Sequence, residues 1–456
     1  MRALITAGCR LLCLMALPLL LAHAVSNAQT NRVDTGLQLR MADSLAGDST
    51  SGKRRNTQIP NASGAAVAAN KVTSGIAASP PRSGKGPGKG SPFRGLSLRL
   101  TSGLRFDDNV LSSNRGEQRD VIVVTRPAIY LDARFGRHDL RLGYEADMER
   151  YLGVSSQNKL HHNFLASGDL DLSRRLKSRL ESGLKFGTDA VGDIGSRDAT
   201  GGVPDRWRSH RLAGEVTLGR RIARAQIGVG VELSGFRYLN NNQQPRDYDR
   251  RDLRVTGRYN LGPKYALISK LFAARLDYTD QASTLDSREY SALFGIEWEA
   301  TAKTSGAVSI GVRHRDFDAA SRPSNGGFAW DARVTWAPKT YSQFTLYSSR
   351  QVSEGGFGGG GAVTITDISG LRWRHGLSER TTFEANVERS LSGSSGPDDE
   401  YMSYGAGLRY RLNRWVDVFG DWSYRSRSSP VPGSGYDTGG VFLGVDVSLD
   451  HALGGK

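Results

Sequence analysis

The side chains in this chain best suited to chemistry are arginines set at even spacings. Arg313 and Arg315, Arg372 and Arg374, and Arg409 and Arg411 each stand two residues apart. Residues two apart on an extended chain point to one side, so each pair would present two guanidiniums to a common surface. Arg99, Arg105, Arg141, Arg179, Arg211, Arg254, Arg258 and Arg333 fall on the same polar phase of their own runs, with Arg126, Arg134, Lys177 and Lys185. Carboxylates of that phase, Glu145, Asp147, Glu149, Glu181, Glu215, Asp252 and Asp331, are fewer. A guanidinium binds oxyanions through paired N–H groups and does not titrate near neutrality, so the chemistry on offer is anion recognition. Lining a pore, such charges would favour anionic solutes. Pairing across strands would instead leave them filling a plugged lumen.

Catalytic chemistry has thinner support. The histidines are scattered, and adjacent His161 and His162 would point to opposite faces of a strand, which is poor geometry for a shared metal. An outer-membrane hydrolase would need a carboxylate pair or nucleophile beside a histidine. The candidates are Asp107 with Asp108, and Asp398 with Asp399 and Glu400, acidic clusters in loops that read better as turn initiators or as loose holders of a divalent cation. Residues 354–362, "EGGFGGGGA", lack the Lys and Ser/Thr of a phosphate loop. No catalytic residue, cofactor or metal ligand is assigned.

The elements that must position these arginines are strands. In "LSLRLTSGLRF", Leu96, Leu98, Leu100, Leu104 and Phe106 share one face, and Ser97, Arg99, Thr101, Gly103 and Arg105 share the other. After a polar loop, Val121, Val123, Ile129, Leu131, Ala133 and Phe135 stand opposite Arg126, Ala128, Tyr130, Asp132 and Arg134. The alternation recurs to the end of the chain and yields about eighteen strands, with sixteen as the alternative count. Near Gly235 the parity slips, which predicts a bulge. The run Tyr265 to Tyr278 is apolar on both phases and contains Lys270, so its facing stays open.

Connections alternate in length. Short ones occur at 136–138, 173–175, 219–221, 262–264, 301–305, 337–340, 376–379 and 413–414, with longer polar ones between them. Short turns on one rim and long loops on the other suit an all-β, transmembrane, antiparallel up-and-down barrel with both ends in the periplasm. Tyr265, Trp298, Trp336, Tyr341, Tyr410 and Trp415 gather beside the short turns, as an interfacial girdle would.

Composition agrees with an exported barrel. Hydrophobic residues make up 38% of the 456, and no apolar run after the first thirty approaches the ~20 residues of a membrane helix. Residues 1–28 resemble a signal peptide, with cleavage after Ala24 or Ala28. Both cysteines, Cys9 and Cys13, lie inside it, so the exported chain would have no disulfide or thiolate site. Residues 29–93, rich in Ser, Gly, Ala, Asn and Pro, read as a flexible periplasmic linker, and 94–456 as the barrel. Net charge is +15, yet an exported chain without a basic helix or RNA-binding signature is a poor nucleic-acid binder.

The stretch "SGLRFDDNVLSSNRGEQRDVIVVTRPAIYLDARFGRHDLRLGYEADMERY" resembles the start of the outer-membrane β-barrel porin family associated with exopolysaccharide biosynthesis and export loci. There a "DDNV"-like element ends the first strand, and an aspartate and a Pro-containing strand follow. The matching positions are Asp107, Asp108, Asn109 and Val110, then Asp120 and Pro127. The resemblance implies a role in export or surface assembly of a polysaccharide and supplies no catalytic residue. The expectation is a monomeric outer-membrane barrel acting as a conduit for an anionic exopolysaccharide. Its partners would be outer-membrane lipid, the polysaccharide and a periplasmic export protein engaging the linker. A surface-attachment barrel with a plugged lumen is the rival reading, and the hydrolase a weaker one.

Overall fold

The structure, a computed structural model, describes residues 93–188, 204–301, 303–354, 363–393 and 399–451. The expected signal peptide, the linker up to residue 92, Asp398 and most of the glycine-rich run 354–362 lie outside them.

Eighteen strands follow one another. They are β1 (Phe93–Asp107), β2 (Asp120–Phe135), β3 (His138–Tyr151), β4 (Lys159–Asp171), β5 (Leu176–Thr188) and β6 (Arg206–Leu218). Next come β7 (Ala225–Tyr238), β8 (Tyr248–Asn260), β9 (Tyr265–Tyr278), β10 (Ser287–Thr301), β11 (Thr304–Phe317) and β12 (Asn325–Lys339). The last are β13 (Ser342–Glu354), β14 (Val363–Gly376), β15 (Thr381–Gly393), β16 (Asp399–Arg411), β17 (Val416–Ser428) and β18 (Tyr436–His451). Each pairs antiparallel with its sequence neighbours, and β1 pairs with β18, so the sheet closes on itself. Closure gives every strand a neighbour on both sides, as a sheet in lipid requires, although the β12–β13 ladder covers only part of those strands. No described helix is long and apolar enough to cross a membrane.

Register decides which face each residue takes. Leu98 stands beside Ile129 and Leu449, and Leu104 beside Val123 and Leu443, an apolar band across three strands that is exposed except at the half-buried Val123. The same outward rows continue through Val229 and Val231, Phe294 and Ile296, Ile310 and Val312, and Leu408 and Tyr410. A wall whose outer face is exposed and apolar, while its inner face carries charge, is the inverse of a soluble fold and suits a bilayer. Tyr265, Trp336, Tyr341, Tyr410 and Trp415 are exposed beside the short turns, as the aromatic pattern anticipates.

Two details differ from or complete the sequence reading. No bulge interrupts β7: its ladders with β6 and β8 run without a shift past Gly235. Phe236 and Tyr238 break the parity because they face inward, where Phe236 packs 5.0 Å from Trp207 and 5.9 Å from Tyr248. In β9, Tyr265, Leu267 and Leu271 point outward, and Lys270 points inward to Asp331 at 2.7 Å.

Candidate functional site: a lumen lined with arginine

All fourteen candidate arginines lie on the face opposite the exposed apolar rows, on strands β1, β3, β5, β6, β8, β11, β12, β14 and β16. They do not stand free. Arg105 grips Glu149 through two hydrogen bonds of 2.9 and 2.8 Å, and Arg141 meets Asp132 at 2.7 Å. Arg374 lies 3.3 Å from Glu384, and Arg409 bonds Asp446. Arg99 and Arg333 lie over the rings of Tyr130 and Tyr347 at 6.0 and 5.9 Å. Arg372 is exposed, cross-strand from Thr345.

What matters for function is that the carboxylates are shared. Glu181 serves Arg179 at 2.9 Å and Arg211 at 2.7 Å, and Glu232 serves Arg211 and Arg254 at 2.9 and 2.8 Å. Glu297 lies between Arg221 and Arg258, and Asp417 between Arg409 and Arg411. Glu289 holds three guanidiniums, Arg313 and Arg315 at 3.0 Å and Arg250 at 3.4 Å. The sharing runs both ways: Arg179, Arg211, Arg254, Arg250, Arg313 and Arg315 form one network with Asp169, Glu181, Glu232, Asp252 and Glu289, whereas Arg221 and Arg258 are balanced by Glu297 and Glu299, and Arg409 and Arg411 by Asp417 and Asp446. These networks hold the guanidiniums in fixed positions on the inner wall.

The charges are unevenly exposed. On β1, β3, β4, β8, β10 and β11, Arg105, Glu149, Lys159, Arg250, Asp252, Glu289 and Arg315 are buried. On β12–β16, Arg333, Arg372, Arg374 and Arg411 remain exposed.

A second inward feature escaped the alternation pattern. Ile122, Val124, Tyr151, Phe419 and Phe442 form a buried apolar cluster against the inner wall, and Val110 packs on it. The Arg126 and Arg409 guanidiniums cover Phe442 and Phe419 at 5.7 and 4.9 Å. Glycines make the room: a Cβ on Gly103 would strike the Leu443 carbonyl oxygen, and one on Gly444 would lie 2.7 Å from the Phe419 ring. The only cue in sequence was the unbroken apolar run Val121 to Val124, which reads equally as an outward row.

The "DDNV" element sits at this cluster and at the barrel's closing seam. Asp107 Oδ1 accepts a hydrogen bond from Thr438 Oγ1 at 3.0 Å, and Asp108 Oδ1 accepts from Gly439 N at 2.6 Å. Asn109, almost wholly buried, donates from Nδ2 to the carbonyls of Asp437 at 2.7 Å and Ser113 at 2.8 Å. Its Oδ1 accepts from Ser113 N at 3.1 Å. Four consecutive residues thus bind the first loop to the start of β18 and drop Val110 into the apolar cluster. The acidic pair is committed to this clasp. Asp399 pairs with Arg427 at 2.8 Å and Glu400 with Arg389 at 2.6 Å, so the second acidic group is engaged as well. Among the described residues, no group of three His, Cys, Asp or Glu could hold a metal. His161 and His162 face opposite sides, as expected: His161 is buried inside, and His162 meets the Tyr144 hydroxyl at 2.9 Å.

Asp120 performs the same service for the next long loop. Its Oδ1 accepts from Val121 N and Gly153 N at 2.7 and 2.8 Å, and Oδ2 from Val154 N at 2.8 Å. Asp120→Ala is expected to leave the barrel folded while speeding protease cleavage within 152–158, read against cleavage at 279–286 as an internal control. Unchanged cleavage would remove the role. On the same long-loop rim Asp318, beyond the end of β11, accepts from Arg275 at 2.6 Å, and this hydrogen bond holds its carboxyl below the usual range. That ion pair therefore persists into mildly acid solution.

A closed antiparallel barrel, apolar outside and charged within, with short turns at one rim and long loops at the other, defines a porin-like outer-membrane β-barrel. The family model described as "Putative beta-barrel porin 2" matches residues 96–449, and the chain belongs to that family. No curated protein is significantly similar in sequence. Among solved structures the chain is similar to OccAB2 of Acinetobacter baumannii, with TM-score 0.46, 8% identity, and coverage of 79% of this chain and 100% of that one. OccAB3 of the same organism gives 0.45, 10%, 78% and 99%. OpdK of Pseudomonas aeruginosa, solved with vanillate, gives 0.44, 9%, 78% and 99%.

Proposed function

We propose that the protein is an outer-membrane porin whose lumen conducts an anionic polymer, an exopolysaccharide being the substrate class that the "DDNV" resemblance implies. The observation that carries this reading is the set of exposed arginines on the inner face, Arg333, Arg372, Arg374 and Arg411 on β12–β16, which stand apart from the buried networks around Glu232 and Glu289. A polyanion passing such a wall exchanges one guanidinium for the next without meeting a deep trap, as conduction requires. The residues before β1 serve as a tether to a periplasmic export partner, and the barrel works as a monomer in outer-membrane lipid.

Planar-bilayer recording tests this directly. The expected result is an open pore whose reversal potential under a salt gradient favours chloride, and whose preference falls toward unity in Arg333→Glu/Arg372→Glu, which alters exposed wall positions. Normal polymer secretion from a deletion strain would reject the substrate. A second reading, a surface-attachment barrel with a filled lumen, is favoured by the buried cluster around Ile122 and Phe442. A folded protein without conductance would decide for it.

A further inference from the structure

The barrel wall is not sealed over its whole height. The β12–β13 ladder runs from Lys339 and Ser342 up to Asp331 and Ser349 and stops there. Above that point residues 325–330 bond to β11 and residues 350–354 to β14, but not to one another. The break does not lie clear of the lipid-facing belt. Phe328 stands level with Val312 and Trp330 with Ile310, which in turn is level with Phe294, and all of these but Trp330 are among the well-exposed outward apolar side chains. Unpaired backbone at that depth is tolerated only where protein or a cavity lines it.

Both are present. A cavity of about 60 Å3 sits in the break, lined by residues of both facings: Arg313, Arg315 and Ala329, which face inward, and Phe328, Val352 and Ile365, which face outward. Arg350, on the outer face, also lines it. Its guanidinium is held by Asp367 at 2.6 Å, lies 4.5 Å from the Trp330 ring centre, and donates to the Phe328 carbonyl at 3.4 Å, where a ladder bond is missing. Trp330 is itself tied to Ser348 by a 2.9 Å hydrogen bond.

We propose that the upper β12–β13 seam is a lateral portal, latched by Arg350, that admits an anionic-headed lipid of the surrounding leaflet toward the lumen. The chemistry of the two walls selects that occupant. The outer side offers Phe328, Val352 and Ile365 to an acyl chain beside the Arg350–Asp367 pair, whereas the inner side offers Arg313 and Arg315, two guanidiniums on the single carboxylate of Glu289, to a phosphate or carboxylate head group. A partner strand adding to the open edges would use their backbone groups but would have no need of the arginines behind them. The portal goes beyond the conduit function and does not depend on it.

The test places a photoreactive benzoylphenylalanine at Gln351, which faces inward within the break, or at Arg333, which faces inward where β12 and β13 are paired. Cells are irradiated, and adducts on the intact, heat-modifiable barrel are identified by mass. The expected result is lipid attached at Gln351 and not at Arg333, with the yield rising severalfold when Arg350→Ala is added. No lipid adduct at Gln351, equal labelling at both positions, or polypeptide adducts alone would overturn the proposal. Should Arg350→Ala fail to fold, the comparison of Gln351 with Arg333 in the otherwise native chain still decides. Loss of conductance with lipid labelling intact would count against the conduit alone.

Discussion

Replacing Glu289 with glutamine is expected to destabilise the barrel by about 3–5 kcal/mol, the usual cost of breaking a buried ion pair from one side. Glu289 is 3% exposed, and the three guanidiniums around it come from β8 and β11, so one carboxylate ties three strands together. A glutamine of the same shape retains an acceptor but no charge. Arg315, at 2% exposure, would then face Arg313 and Arg250 in a space that water reaches poorly. Asp252 cannot relieve this, being already held by Arg250 at 2.8 Å and Arg254 at 3.1 Å. The matched control is Glu400→Gln, which removes the partner of Arg389 in a pair whose side chains are 53% and 39% exposed. Exposed pairs contribute about 0–1 kcal/mol, so this variant should stay close to the parent. Urea unfolding of both variants in lipid vesicles measures the difference. Equal midpoints would mean that the inner network is not cohesive.

The strands were legible in sequence and their inner contacts were not, for one physical reason. A period of two is local, so β9 can be bounded at Tyr265 and Tyr278 from the chain alone. Parity also places Arg99, Arg254 and Arg411 on the inner phase. Which carboxylate each arginine meets depends on register and closure, which bring Thr101 to Asp446 and Arg221 to Glu297 across long stretches of chain. A ratio of basic to acidic residues can indicate a positive wall, but only register shows that single carboxylates are shared. Phe236 and Tyr238 mislead for a related reason: an aromatic near a rim packs as well inward as outward, and parity alone reads the inward case as a slip. The break between β12 and β13 leaves no trace in alternation, because each strand keeps its period by pairing on its other side.

Asn109→Ala should open the seam where the barrel closes. Closure is the costliest contact for the chain to find, since β1 and β18 lie at opposite ends of it, and the "DDNV" element lies where these strands meet at the long-loop rim. Asn109 makes three hydrogen bonds there, two of them to carbonyls, from a position 1% exposed. Alanine removes both donors and leaves the Asp437 and Ser113 carbonyls without them beside a buried position. At about 1–3 kcal/mol for each group left unsatisfied, the loss is about 2–6 kcal/mol, and less where water reaches a carbonyl. Asn109→Asp discriminates the donors from the acceptor: it keeps the bond from Ser113 N, loses both donors, and adds charge beside Asp107 and Asp108. It should therefore be at least as damaging as alanine, whereas a site that needed only side-chain volume would tolerate it. Because Val110 leaves the apolar cluster when the loop lifts, tryptic cleavage at Arg115 and Arg119 should appear alongside the loss of heat-modifiable barrel. A variant that keeps its melting temperature and resists trypsin would show that the seam is held by the ladder alone.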